Sequence, residues 1–271
     1  MKAIPQWLYG TAWKEQATKD LVVKALESGF RAIDTANQRK HYFEAAVGDA
    51  LTASSIDRQD LFLQSKFTFR PGQDDRLPYN PDARVREQVE QSFTRSLEHL
   101  GTDYLDSLLL HGPMLREGLS NDDLEAWAAM ETIYHSGRVK AIGVSNFSAS
   151  QLEDLNHHAA IKPAWVQNRC YAVTGWDRDV REVCQRHGIG YQGFSLLTAN
   201  PAVGQQPAFQ AIVAKTGLTA AQVIFQSAQR MKILPLTGTS SPEHMLEDLA
   251  CNKVSLTEDD VTIVENILLT G

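Results

Sequence analysis

The chain has 271 residues, of which 43% are hydrophobic and 22% charged, a balance that excludes a disordered chain, a collagen-like repeat and a coiled coil. This length supports a core large enough to fold without disulfides or a metal. Its 26 Lys+Arg against 33 Asp+Glu leave a formal net charge of −7, which gives no electrostatic footprint for nucleic acid.

Short apolar runs alternate with amphipathic stretches along the chain. The first run is QWLYGT from Gln6. The stripe of Leu21, Val22, Ala25 and Leu26 follows, closed by Gly29. RAIDT from Arg31 and LFLQSK from Leu61 are the next two runs. Val85, Val89, Phe93 and Leu97 then recur at i+4 before Gly101, a helix with a glycine C-cap. SLLLH from Ser107 and KAIGVSN from Lys140 come next. Ser148 reads as an N-cap, with Gln151 completing a capping box. AWVQN from Ala164 precedes a helix carrying Val180, Val183 and Cys184, closed near Gly188. GYQGFS from Gly190, one or two helices between Pro207 and Gln229, and ILPLTG from Ile233 complete the pattern.

That makes eight short runs, all but GYQGFS carrying Ile, Leu or Val like a strand buried on both faces. Strand–helix alternation implies parallel strands with right-handed crossovers. Eight such units predict a (β/α)8 barrel, with a doubly wound open sheet as the alternative. No GxGxxG follows the early strands, which weakens that alternative. No linker or change of composition divides the chain, so a single domain over residues 1–271 is expected. Cys170, Cys184 and Cys251 form no CxxC, and no metal site is expected from them. They suggest a reducing, cytoplasmic setting. The start MKAIPQWLYG reads as no signal peptide, and no run approaches the ~20 apolar residues of a membrane span.

In such a barrel the chemistry lies at the carboxyl ends of the strands. Those ends carry Asp34, Lys66, His111, Ser145 with Asn146, Gln167 with Asn168, Phe194 with Ser195, and Gly238 to Ser241. Each has a plain structural explanation as a turn cap, a solvated lysine, a turn histidine or a helix start. The barrel register nevertheless brings all of them to one rim, where Asp, Lys and His form a proton-transfer group. A Lys held by an Asp favours the phenolate of a nearby Tyr and lowers its pKa.

These segments, from GTAW at Gly10 to SPEH around Pro242, resemble the aldo-keto reductases. The pieces are GFRAIDTA, DLFLQSK, LLLHGP, AIGVSNF, PAWVQN and GTSSPEH, in this order at barrel spacing. The resemblance implies a (β/α)8 barrel that reduces small aldehydes or ketones with a nicotinamide cofactor. It implies Asp34, Lys66 and His111 as three of four catalytic residues. The fourth, a Tyr, commonly follows the Asp by five residues, whereas Tyr42 falls eight after Asp34. Counted back from Gly48, the slot lies at His41 or Tyr42. A short insertion would bring Tyr42 to the site, with His41 as a second candidate donor. Glu44 reads as the start of the next helix.

The cofactor residues implied by the resemblance are Thr11, Trp13 and Asp34, and then Ser145, Asn146 and Gln167 at the nicotinamide carboxamide. Phe194 stands where a stacking Tyr is usual, and stacking needs only the ring. Ser195 and Leu197 belong to the loop beneath the pyrophosphate. Gly238, Thr239, Ser240 and Ser241, before a helix from Pro242, are placed for the adenosine 2′-phosphate. The usual basic residues there are replaced by Gly238 and His244, and Asp248 beside Glu247 replaces an Asn. These departures leave NADH open beside NADPH. The long C-terminal loop common in the family has no counterpart after VENILLTG, so a more open pocket is expected, with Trp13, Tyr9, Tyr42, His111 and Trp7 along it. For Trp7, core packing is the stronger expectation. Two rivals remain: a nucleotide-binding regulator without activity, and a Schiff-base aldolase using Lys66.

Overall fold

Each apolar run becomes one strand of a closed parallel barrel in the computed structural model, which describes residues 5–269 without the side chain of Lys253. The strands are β1 (Leu8–Gly10), β2 (Ala32–Asp34), β3 (Phe62–Phe67), β4 (Ser107–Leu110), β5 (Ile142–Ser145), β6 (Trp165–Arg169), β7 (Gly190–Phe194) and β8 (Ile233–Thr237). They pair in chain order, and β1 closes on β8 through Leu8 opposite Leu236 and Tyr9 opposite Thr237. The open-sheet alternative is therefore excluded. Nearly every strand residue is buried, as expected of strands covered outside by helices and inside by one another's side chains. The first four residues and the last two, which the readings of MKAIPQWLYG and VENILLTG include, lie outside the described range.

The helices form the outer ring. They are α1 (Thr18–Ser28), α2 (Glu44–Ala53), α3 (Val85–Leu100), α4 (Asn121–His135), α5 (Ala149–His158), α6 (Arg178–His187), α7 (Pro207–Thr216), α8 (Ala220–Arg230), α9 (Pro242–Leu249) and α10 (Glu258–Asn266). One helix follows each of β1 to β6, and two follow each of β7 and β8. The expected punctuation is present. Gly29 ends α1 at φ 117°, a conformation that costs glycine little. Ser148 and Gln151 form the capping box of α5. Among the described residues no single helix is long and apolar enough to cross a membrane, and no group of three or more His, Cys, Asp or Glu is placed to hold a metal. The three cysteines are free and buried.

Two packing features set the site. A Cβ at Gly48 would collide with the His99 carbonyl oxygen, so only glycine lets α2 lie this close to α3. That contact fixes the middle of α2, the helix that follows the loop carrying His41 and Tyr42. Inside the barrel, buried amides replace part of the apolar filling. Gln64 Nε2 donates to Gln192 Oε1 at 2.8 Å, Gln192 Nε2 returns a bond to Gln64 Oε1 at 3.0 Å, and Gln167 Nε2 reaches Gln192 Oε1 at 2.9 Å. Paired in this way, the amides avoid the cost of buried polar groups left unmade.

Candidate active site

The amide layer ends at Asp34, the last residue of β2. Asp34 Oδ1 accepts from Gln64 Nε2 at 2.8 Å and from Gln167 Nε2 at 2.9 Å. Lys66 Nζ lies 2.7 Å from each oxygen of the same carboxylate and donates to the Thr35 carbonyl at 2.9 Å. Three acceptors thus surround a fully buried ammonium. Burial pushes the Lys66 pKa below the usual lysine value, and the Asp34 charge restores part of it. Neither Gln64 nor Gln192 was singled out from the sequence. Their signal was a glutamine in the middle of an apolar strand, at LFLQSK and GYQGFS.

The loop after β2 is longer than the usual spacing and is tied down by its own amides. Asn37 Nδ2 donates to the Ser92 carbonyl at 2.8 Å, Gln38 Nε2 to the Gly72 carbonyl at 2.7 Å, and Gln73 Nε2 back to the Asn37 carbonyl at 3.0 Å. The Tyr42 backbone N–H then closes a turn on the Gln38 carbonyl at 3.0 Å. This brings the Tyr42 ring to 5.1 Å, centroid to Lys66 Nζ, and to 5.8 Å from the His111 ring, edge to face. His41 turns the other way. It stacks on the exposed Trp13 at 3.8 Å between centroids and is not part of the cavity wall.

One expectation is corrected here. The Tyr42 pKa is raised, by burial first and by the Asp34 carboxylate second. Lys66 does not lower it on balance, because desolvation and the Asp34 charge outweigh it. The phenol is therefore held protonated. His111 follows β4, and its Nδ1 lies 2.7 Å from Thr68 Oγ1. Burial, and then the Lys66 charge, push its pKa well below the ordinary histidine value, so the ring is neutral.

Tyr42, His111 and Asp34 lie on the wall of a cavity of about 1050 Å³ that opens at the carboxyl ends of the strands. Ser145, Asn146, Gln167 and Phe194 line it as well, as does the exposed Trp13. Ser195, Leu197, Gly238, Thr239, Ser240, His244, Glu247 and Asp248 also belong to its lining. Asn146 Nδ2 donates to the His111 carbonyl at 2.8 Å, while no described residue donates to Asn146 Oδ1 or Gln167 Oε1. These two oxygens can therefore accept from a ligand amide. Asp248 accepts from Thr237 Oγ1 at 2.8 Å, and burial raises its pKa to about 6.

Five named residues stand elsewhere. Lys66 sits behind Asp34 rather than on the wall. Thr11 Oγ1 donates to the Asp34 carbonyl at 2.9 Å, and Ser241 caps α9 by accepting from the His244 N–H at 3.3 Å. Tyr9 is fully buried and donates to the Thr239 carbonyl at 3.0 Å, so it supports the wall from behind. Trp7 packs edge-on against Phe225 in the core at 4.9 Å.

Lys14 was missed. It follows the exposed Trp13, and nothing in the sequence separates it from a solvated loop lysine. The fold instead buries it to 9% exposure on the wall of the cavity. Its Nζ donates to the Gly238 carbonyl at 2.7 Å and lies 5.0 Å over the Tyr9 ring, with no carboxylate partner among the described residues. Burial lowers its pKa to about 8. The ammonium lies 3.9 Å from where a side chain at Gly238 would begin, so it puts a positive charge beside a position that lacks one.

The family model described as the aldo/keto reductase family matches residues 5–269. An uncharacterized oxidoreductase of Bacillus subtilis (strain 168), YtbE, is 32% identical over 90% of this chain and 81% of its own length. The NAD/NADP-dependent indole-3-acetaldehyde reductase of Schizosaccharomyces pombe (strain 972 / ATCC 24843) is 31% identical over 89% of this chain and 81% of its own. A crystal structure of an aldo-keto reductase complexed with NADPH superposes with a TM-score of 0.83 at 26% identity, covering 99% of this chain and 85% of that one. The closed eight-stranded barrel and a family match spanning the described chain lead to one assignment: the chain belongs to the aldo/keto reductase family of nicotinamide-dependent oxidoreductases.

Proposed function

We propose that this protein reduces an aldehyde or ketone to the alcohol with NAD(P)H, with Tyr42 as the proton donor. The observation that carries the reading is the convergence of Tyr42 and His111 on one cavity wall, with the Asp34–Lys66 pair directly behind the phenol. The lining fits a dinucleotide. Asn146 Oδ1 and Gln167 Oε1 offer acceptors for a carboxamide, the Phe194 ring offers a stacking face, and Lys14 offers an uncompensated charge for a phosphate. When bound, the nicotinamide supplies a hydride to the carbonyl carbon.

The protein's own part is positioning and proton supply. His111 donates a hydrogen bond to the carbonyl oxygen, orienting and polarising it. As the carbon–hydrogen bond forms, the oxygen takes the Tyr42 proton, and the phenol is later reprotonated from solvent. A phenol held protonated suits this task, because an alkoxide is a much stronger base than a phenolate. Lys66 stabilises the phenolate while it exists, and Asp34 holds Lys66 in place. Lys66 is disposed as a charge rather than a nucleophile, since three acceptors surround it and it is not on the cavity wall.

The test is to follow NADPH and NADH absorbance with a panel of aldehydes and ketones. Saturable, carbonyl-dependent oxidation is expected. No oxidation with either nicotinamide across the panel would overturn the reading and favour a regulator that only binds nucleotide.

A further inference from the structure

His111 must present an N–H to do what the proposed function asks of it, and a neutral imidazole has only one. Which nitrogen carries it is decided by what the other nitrogen meets. Nδ1 meets Thr68, the residue directly after β3. The β3–β4 register puts Phe67 opposite Leu110, and the His111 N–H bonds the Phe67 carbonyl at 2.9 Å, so Thr68 and His111 are brought side by side by the ladder. Thr68 is itself fixed. Its carbonyl accepts from Tyr79 Oη at 2.9 Å and from Gln73 Nε2 at 3.3 Å, and the residue is 6% exposed.

Two arrangements fit a 2.7 Å contact. If Nδ1–H donated to Thr68, the hydroxyl hydrogen would need another acceptor, and among the described residues Oγ1 has no partner besides His111. A buried donor left unmade costs about 1–3 kcal/mol. If Thr68 donates to Nδ1, both groups are satisfied and the ring proton resides on Nε2. No described residue bonds Nε2, and the ring lines the cavity.

We propose that Thr68 is a positioning residue: its hydroxyl donates to His111 Nδ1 and so directs the Nε2–H at the substrate oxygen. This rests on the carbonyl-reductase reading for its kinetic consequence but not for the hydrogen bond itself. The removable part is one oxygen, since valine has the same shape as threonine.

The experiment pairs nitrogen NMR of the His111 ring in the cofactor-free protein, assigned with His111→Gln, with steady-state kinetics. The unmodified protein should show a protonated Nε2 and a bare, hydrogen-bonded Nδ1. Thr68→Val should move the Nδ1 resonance and lower kcat/KM for an aldehyde about tenfold, the worth of one hydrogen bond, with cofactor Kd unchanged. Thr68→Ser should restore both readings. A protonated Nδ1 in the unmodified protein, or full kcat/KM in Thr68→Val, would overturn the proposal. Absence of carbonyl reduction by the unmodified protein would overturn the functional reading instead, and the ring spectrum would then decide the Thr68 bond alone.

Discussion

The ammonium of Lys66 lies 5.1 Å from the centre of the Tyr42 ring and 2.7 Å from each oxygen of Asp34. The phenol therefore faces a charge pair rather than a bare cation. The pair favours phenolate only when the ring must accept negative charge. Lys66→Met keeps the volume and removes that help. Turnover should fall by at least ~10²-fold, while cofactor affinity by fluorescence quenching changes little. Gln64 and Gln167 still donate to Asp34 in this variant, which limits the cost of a buried charge that has lost its partner. Near-normal turnover would contradict the assigned role.

Lys14 supplies the cationic end of the cavity. Lys14→Met should weaken NADPH by roughly 10- to 100-fold and NADH much less, because hydrogen bonds to charged groups are worth about 1.5–3 kcal/mol. The pKa of about 8 adds a pH signature. The group is charged below that value and neutral above it, so NADPH affinity in the unmodified protein should fall as pH rises past 8. His244→Arg should shift preference toward NADPH by ~1–3 kcal/mol. Equal loss of both cofactors in Lys14→Met would exclude the 2′-phosphate as the partner of Lys14.

Asp248 links the site to stability. Its folded pKa of about 6 lies above the ordinary carboxyl value of 3.8. The folded state thus binds more protons than the unfolded state between these values, and stability falls as pH rises through that window. Above pH 6 the charge costs on the order of 3 kcal/mol. Asp248→Asn keeps an acceptor for Thr237 and removes the charge. It should raise the urea midpoint at pH 8 and leave it nearly unchanged below pH 4. An equal gain at both pH values would show that the carboxylate is not the cause.

Much of the architecture was readable because buried parallel strands demand short, mainly apolar runs, and all eight runs became strands. Gly29, Gly101 and Gly188 marked helix ends for a backbone reason that leaves a trace in sequence. The site was readable where a polar residue ended a strand, as at Asp34 and His111. It was opaque where tertiary placement decides. Lys14 reads as a surface lysine until the barrel sets it against the Tyr9 ring and the Gly238 carbonyl. Thr68 reads as a strand residue until the β3–β4 register sets it against His111. The pKa shift of Tyr42 depends on burial outweighing a charge, and no spacing reports that.

The identity of the proton donor is the central claim. Burial raises the Tyr42 pKa and lowers that of His41, so a phenol donor stays protonated far above neutral pH whereas an imidazole donor does not. The direct test compares aldehyde kcat/KM for Tyr42→Phe and His41→Gln between pH 6 and pH 9. The account predicts a loss of ~10²-fold or more in Tyr42→Phe with cofactor still bound, a mild effect in His41→Gln, and reduction that persists above pH 7 in the unmodified protein. A larger loss in His41→Gln, with activity fading above pH 7, would contradict it and place the acid at position 41.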